Sequence, residues 1–148
     1  MDIQIRNESK TGRLSAGRVK STARKILQIL GCRSAALSIL FLDDRGIRLL
    51  NRRYLGRNRP TDVMAFGQRN LWQPKHARPF LGDLAISLET AKRQAARYQT
   101  SFTEEVYLYL CHGILHLMGY NDRSKQDAAT MSRKQQRILR QIGIGRVR

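Results

Sequence analysis

Apolar positions along the chain change period several times, and each change marks an element. Asp2 to Arg6 alternates polar and apolar residues, the period of a strand, and a polar, Gly-containing connection from Lys10 to Gly17 follows. Val19, Ala23, Ile26, Leu27 and Leu30 then recur every three or four residues, which predicts a helix over Ala16–Leu30, with Gly31 placed to stop it in a left-handed cap. Ala36–Leu42 is a β-rich apolar run closed by Asp43, Asp44, Arg45 and Gly46, as in a buried strand and its turn. A second helix over Arg45–Leu55 gathers Ile47, Leu50 and Tyr54 on one face and Arg45, Arg48 and Arg52 on another.

The second half reads the same way. Val63–Phe66 and Asp83–Ser87 are two short strands, separated by an irregular loop or hairpin from Gly67 to Phe80 that holds Trp72 and two prolines. A third helix, Leu88–Tyr98, turns Ala91, Ala95 and Tyr98 inward. Ser101-Phe-Thr-Glu104 has the capping-box pattern and opens a fourth helix that runs to Met118 before Gly119 ends it. The last helix, Lys125–Ile142, has Ala128, Met131, Gln135, Ile138 and Ile142 on its inner side, and Gly143 to Arg148 is expected to fray. Strands interspersed with helices in this order predict an α+β fold: a small mixed sheet of about four strands packed with about five helices. At 148 residues the chain fits a single domain over 1–148.

Composition adds function to this outline. Lys plus Arg total 28 against 11 for Asp plus Glu, a formal net charge of +17. Such an excess calls for a polyanionic partner, and RNA or DNA fits best because each neutralised phosphate releases counterions. No run of about 18 apolar residues exists to span a bilayer and no basic-then-apolar leader opens the chain, so no membrane role and a cytoplasmic location are expected. The two cysteines, Cys32 and Cys111, make no disulfide framework and read as small buried hydrophobes.

The chemistry concentrates in His112-Gly-Ile-Leu-His116-Leu-Met-Gly-Tyr-Asn-Asp122. Histidines four apart on a helix share a face, with β-carbons about 5–6 Å apart, and two of the chain's three histidines stand at this spacing. Gly119 can turn the chain back so that Asp122 supplies a third ligand. Three protein ligands with a fourth position open is the arrangement of a catalytic zinc site. The frame His-x3-His-x2-Gly-x2-Asp also resembles that of metzincin proteases. Those enzymes carry a general-base Glu after the first His, whereas Gly113 stands there, so peptide hydrolysis is disfavoured. His76, alone in the irregular segment, reads as a surface residue.

Cys111 to Asp122 resembles the His-Gly-x-Leu-His-Leu-x-Gly-Tyr-Asp-His motif of the YbeY family of bacterial endoribonucleases. Leu50-Asn51, Tyr54 and Pro60 to Phe66 resemble that family's Leu-Asn, Tyr and Pro-Thr-Asp-Val-Leu-Ser-Phe blocks. Leu81 to Ser87 is similar to its Leu-Gly-Asp-Ile-x-Ile strand, and Met131, Gln135 and Gln136 to its C-terminal helix. The resemblance covers nearly the whole chain in order. It implies an α+β fold, a zinc-type metal held by His112, His116 and Asp122, and maturation of ribosomal RNA with the small ribosomal subunit as partner. No nucleotide cofactor is expected.

Besides Asn121 in place of the motif's Asp, three departures from the family pattern bear on the chemistry. Asp122 replaces the usual third His, and a carboxylate favours harder ions such as Mn²⁺ beside zinc. Leu55 follows Tyr54 where the family has an Arg, and an apolar side chain cannot take over a phosphate contact. Ala65 replaces Ser. Six Arg and no acidic residue lie between Arg45 and Arg59, so Arg52, Arg53, Arg57 and Arg59 read as an RNA-backbone track. Arg133, Arg137 and Arg140 form a second stripe, and Tyr54, Phe66, Trp72 and Tyr120 are candidates to stack on unpaired bases. The expected reaction is metal-assisted hydrolysis of an RNA phosphodiester, with no general base named by the pattern. Two alternatives stay open here: a ribosome-associated RNA-binding factor that retains the metal but cuts poorly, and a metal-dependent hydrolase of a small substrate.

Overall fold

The computed structural model describes residues 1–67 and 80–144. Its elements run β1 (Asp2–Asn7), α1 (Ala16–Ile29), β2 (Ala36–Leu42), α2 (Asp44–Leu55), β3 (Val63–Gly67), β4 (Phe80–Ser87), α3 (Leu88–Tyr98), α4 (Phe102–Leu117) and α5 (Lys125–Gln141). The strands form one sheet in the order β1-β2-β4-β3, in which β1, β2 and β4 are parallel and β3 is an antiparallel edge. The predicted α+β class, four strands and five helices are thus what the described residues build.

α4 organises the core. Val106, Tyr109, Leu110, Cys111, Ile114 and Leu115 are each at most 2% exposed, so the helix is apolar on nearly every side. A helix of that kind must be covered all round, and here the sheet, α1, α3 and α5 cover it. Its start is fixed by the reciprocal Ser101–Glu104 capping box, and Gly119 follows its end at φ +100. On the opposite face of the sheet, α2 seals a smaller cluster of Leu42, Ile47, Met64 and Ala85.

Two adjacent carboxylates at the end of β2 tie the layers together. Asp43 accepts hydrogen bonds from Ser9 Oγ (2.5 Å), Thr11 Oγ1 (2.6 Å) and the Lys10 N–H (3.0 Å), holding the β1–α1 connection. Asp44 accepts from Ser87 Oγ (2.7 Å), Thr90 Oγ1 (2.6 Å) and Arg93 (2.9 Å), locking the start of α2 to the β4–α3 junction. Burial pushes the Asp44 carboxyl pKa up, but the hydrogen bonds from Thr90, Ser87 and Arg93 together outweigh it and hold it below its ordinary value.

Several boundaries differ from the sequence expectation, each for a local reason. β4 begins at Phe80 rather than Asp83, because Gly82 is not a turn residue but a strand residue at φ +144, where a Cβ would run into the Phe66 carbonyl. Gly67 likewise belongs to β3. Trp72, His76 and the two prolines of the expected loop lie outside the described residues. Tyr54 and Tyr98, both assigned inward, are 57% and 44% exposed. Each sits in the last turn of its helix, and Asn51 takes the buried position on α2. Ile144, expected to fray, is buried and bonds its N–H to the Leu139 carbonyl at 2.9 Å. Cys111 is fully buried, with its thiol pKa pushed up to about 12 by burial, whereas Cys32 is only partly covered.

Candidate metal centre

The last two turns of α4 carry His112 and His116 side by side on the one flank of that helix left half-exposed. Their rings stand edge to face with centroids 4.6 Å apart. Their Nε2 atoms approach to 3.1 Å. The tautomers follow from what lies behind each ring. His116 Nδ1 is 3.1 Å from the Tyr120 carbonyl, which can only accept, so Nδ1 carries the proton and donates it. His112 Nδ1 is 3.0 Å from Gln135 Oε1 on α5, again an acceptor. Both Nε2 lone pairs therefore aim at one region, an arrangement that calls for a cation between them.

Asp122 completes the group: one ligand atom from each of His112, His116 and Asp122 lies within 4.8 Å of the others. Gly119 makes this possible by reversing the chain straight after the helix. Burial first, and then the neighbouring His112, hold the His116 imidazole below its usual pKa, against an opposing pull from Asp122. A neutral imidazole at neutral pH is the form a ligand needs. Gly113, between the two histidines, has a packing role: a Cβ there would stand 2.7 Å from Leu84 Cδ2 and 3.1 Å from Val63 Cγ2. The residue that removes a general base from the frame is thus the one that lets α4 rest on the paired strands β3 and β4.

His116 and Asp122 open onto a groove of about 800 Å³ that Arg57, Arg59 and Arg123 also line. Of the predicted track, Arg57 and Arg59 reach this groove, while Arg52 and Arg53 are exposed outside it. Arg133 and Arg137 are exposed on α5, each two residues and therefore roughly 200° around the helix from the inward Gln135, so they face away from the histidines. Tyr54, Phe66 and Tyr120 line the groove, with Tyr54 packed edge-on to Phe66 at 5.3 Å. Among the described residues, ion pairs form at Arg6–Glu8 and Arg93–Asp44, which leaves the groove arginines without carboxylate partners.

Sequence reasoning missed three contributors. Gln135 was placed on the inner face of α5 but given no task, although a long polar side chain on a core face must find a partner. Asn51, 3% exposed, donates from Nδ2 to the Arg59 carbonyl at 2.9 Å and so pins the arginine loop to α2. The third, Arg123, carried no signal beyond its place next to Asp122.

A four-strand, five-helix α+β arrangement among the described residues thus groups two imidazoles and a carboxylate at the edge of a cationic groove that His116 and Asp122 line. The chain belongs to the endoribonuclease YbeY family, whose sequence model matches residues 4–143. It is 39% identical to the endoribonuclease YbeY of Anaeromyxobacter sp. (strain Fw109-5) over 97% of this chain and 73% of that one. For the endoribonuclease YbeY of Syntrophus aciditrophicus the identity is 35%, covering 94% and 88%. The solution structure of TM1509 from Thermotoga maritima is similar in fold, with a TM-score of 0.58 at 20% identity over 98% of this chain and 96% of that one.

Proposed function

We propose that the chain is a metal-dependent endoribonuclease that cuts single-stranded RNA in ribosomal RNA maturation, acting in the cytoplasm on RNA of the small ribosomal subunit. The observation that carries the metal reading is the convergence of the two Nε2 atoms at 3.1 Å with both Nδ1 atoms turned to acceptors. Two ligands about 2.0–2.1 Å from a tetrahedral ion stand roughly 3.3 Å apart, so the pair needs almost no rearrangement to bind one. His112, His116 and Asp122 are the proposed ligands and zinc the proposed ion. The carboxylate also suits a harder ion such as Mn²⁺. When bound, the ion supplies charge for a phosphoryl oxygen and an activated water.

The protein's own groups do the rest. Gln135 and the Tyr120 carbonyl hold the two imidazoles in the ligating tautomer. Arg57 and Arg59, the latter anchored through Asn51, hold phosphates of the strand beside the centre, the contact that Leu55 cannot make from its own position. Arg52 and Arg53 extend this track, and Arg133 and Arg137 add attraction at longer range. No helix among the described residues is long and apolar enough to cross a membrane.

The test is cleavage of single-stranded RNA by protein stripped of metal and then titrated with Zn²⁺ or Mn²⁺. Cleavage is expected to require the ion and to fall at least 100-fold in His116→Ala, with RNA affinity retained. Protein that binds RNA but cuts it with no divalent ion would overturn the proposal.

A further inference from the structure

The two histidines do not open on the same side. His116 lines the arginine groove, whereas His112 lines a second cleft of about 320 Å³ together with Asp62, Tyr98, Tyr109 and Gln135. The ligand cluster therefore stands between two clefts, His116 lining one and His112 the other, while their Nε2 atoms converge at 3.1 Å. A single strand whose phosphate is engaged between the clefts must leave on both sides.

Each side is edged by the same pair of residue types in the same place. At the end of α2, the Arg53 guanidinium lies over the ring of Tyr54, 5.6 Å from its centroid. At the end of α3, Arg97 lies over Tyr98 at 5.5 Å. Both tyrosines are exposed, at 57% and 44%, although the pattern of their helices assigned them to the core. Tyr54 lines the groove and Tyr98 the second cleft. Exposed aromatic rings and guanidinium planes are both surfaces on which unpaired bases stack, and the cation also attracts the adjoining phosphate. On the second side Arg93 is committed to Asp44, while Arg97 pairs with no carboxylate among the described residues.

We propose that Arg97 and Tyr98 form a second nucleotide subsite, which stacks the base on the far side of the scissile phosphate from the Tyr54 groove. This rests on the reading of the chain as a metal-dependent ribonuclease. It makes Tyr98 a substrate-positioning residue and sets the path of the RNA: along the arginine groove, past His116 and His112, and out over α3.

The experiment uses the metal-loaded full chain and a short single-stranded RNA with one cleavage site. Tyr98→Ala is expected to raise KM about tenfold with kcat little changed, and Tyr98→Phe to restore KM, since stacking needs the ring and not the hydroxyl. An abasic residue next to the cut, on the side away from the groove, should reproduce the loss in the wild type. Combining it with Tyr98→Ala should add nothing. Arg97→Ala should raise KM without changing metal content, which keeps the test open if Tyr98→Ala proves unstable. An unmoved KM in Tyr98→Ala, or losses from abasic site and mutation that simply multiply, would overturn the subsite and leave the nuclease reading standing. Wild-type protein that cuts no RNA would remove both.

Discussion

At the scale of single residues, the informative distinction is between the proposed ligands and the side chains that aim them. His112, His116 and Asp122 were legible because a four-residue interval on a helix and a Gly at its end are local facts. Gln135 was not, because its role depends on how α5 registers against α4, which no local interval encodes. The structure makes its task testable. Replacing Gln135 by Met keeps the volume but removes the acceptor behind His112 Nδ1, and loss of such an outer partner weakens metal affinity about 10–100-fold. Competition with a chromophoric chelator measures this, and unchanged affinity would mean that the Gln135 contact does not orient the ligand. Tyr98 shows the opposite failure: its spacing after Ala91 and Ala95 is perfect for a core position. At the final position of α3 the ring is nevertheless 44% exposed, which the interval alone does not encode.

At the scale of elements, periodicity served well wherever an element buried one face. The capping box of α4, the Gly stop after α1 and the inward face of α5 all appear as expected, because each rests on hydrogen bonds or burial within a few residues. The start of β4 was misplaced because Gly normally punctuates a chain, whereas Gly82 serves a close backbone approach inside the strand. The junctions between elements make their own prediction. Asp44 joins α2 to the β4–α3 corner with its carboxyl held below the ordinary pKa, so the folded state gives up the negative charge less readily than the unfolded chain. The associated stability is complete above the unfolded value, about 3.9, and is lost as pH falls through the lower folded value. Urea midpoints between pH 2 and 7 should therefore drop steeply in acid for the wild type and less steeply for Asp44→Asn. Parallel curves would assign the acid sensitivity elsewhere.

At the scale of the molecule, a net charge of +17 announces a polyanion without saying where it lies. The structure separates two arginine stripes that looked equivalent in sequence. Arg57 and Arg59 line the groove beside the histidines, while Arg133 and Arg137 face away. Affinity for single-stranded RNA should fall with salt at a slope of about 0.7 per phosphate contacted. Arg57→Ala with Arg59→Ala should thus flatten a plot of log affinity against log salt by about 1.4. Arg133→Ala with Arg137→Ala should flatten it by less, and equal effects would refute the assignment of the groove as the main track. The strand order was beyond the sequence for a related reason: parallel pairing of β2 with β4 skips over β3, and nothing in the local pattern of either strand names its neighbour.

The site also straddles two regions of unequal persistence. Its histidines sit on α4, enclosed by the sheet and three helices, whereas Asp122 is exposed on the connection beyond Gly119. Amides of the enclosed helix should open to deuterium only through global unfolding, and those of residues 119–124 through cheap local excursions. Loading with an ion should then slow deuterium uptake in that short connection and barely alter α4. On the proposed metal reading, capture would be a two-stage event in which the preset pair of imidazoles takes the ion first and the aspartate closes over it afterwards. The off-rate, rather than the encounter, would then be the quantity that the Gly119 turn controls.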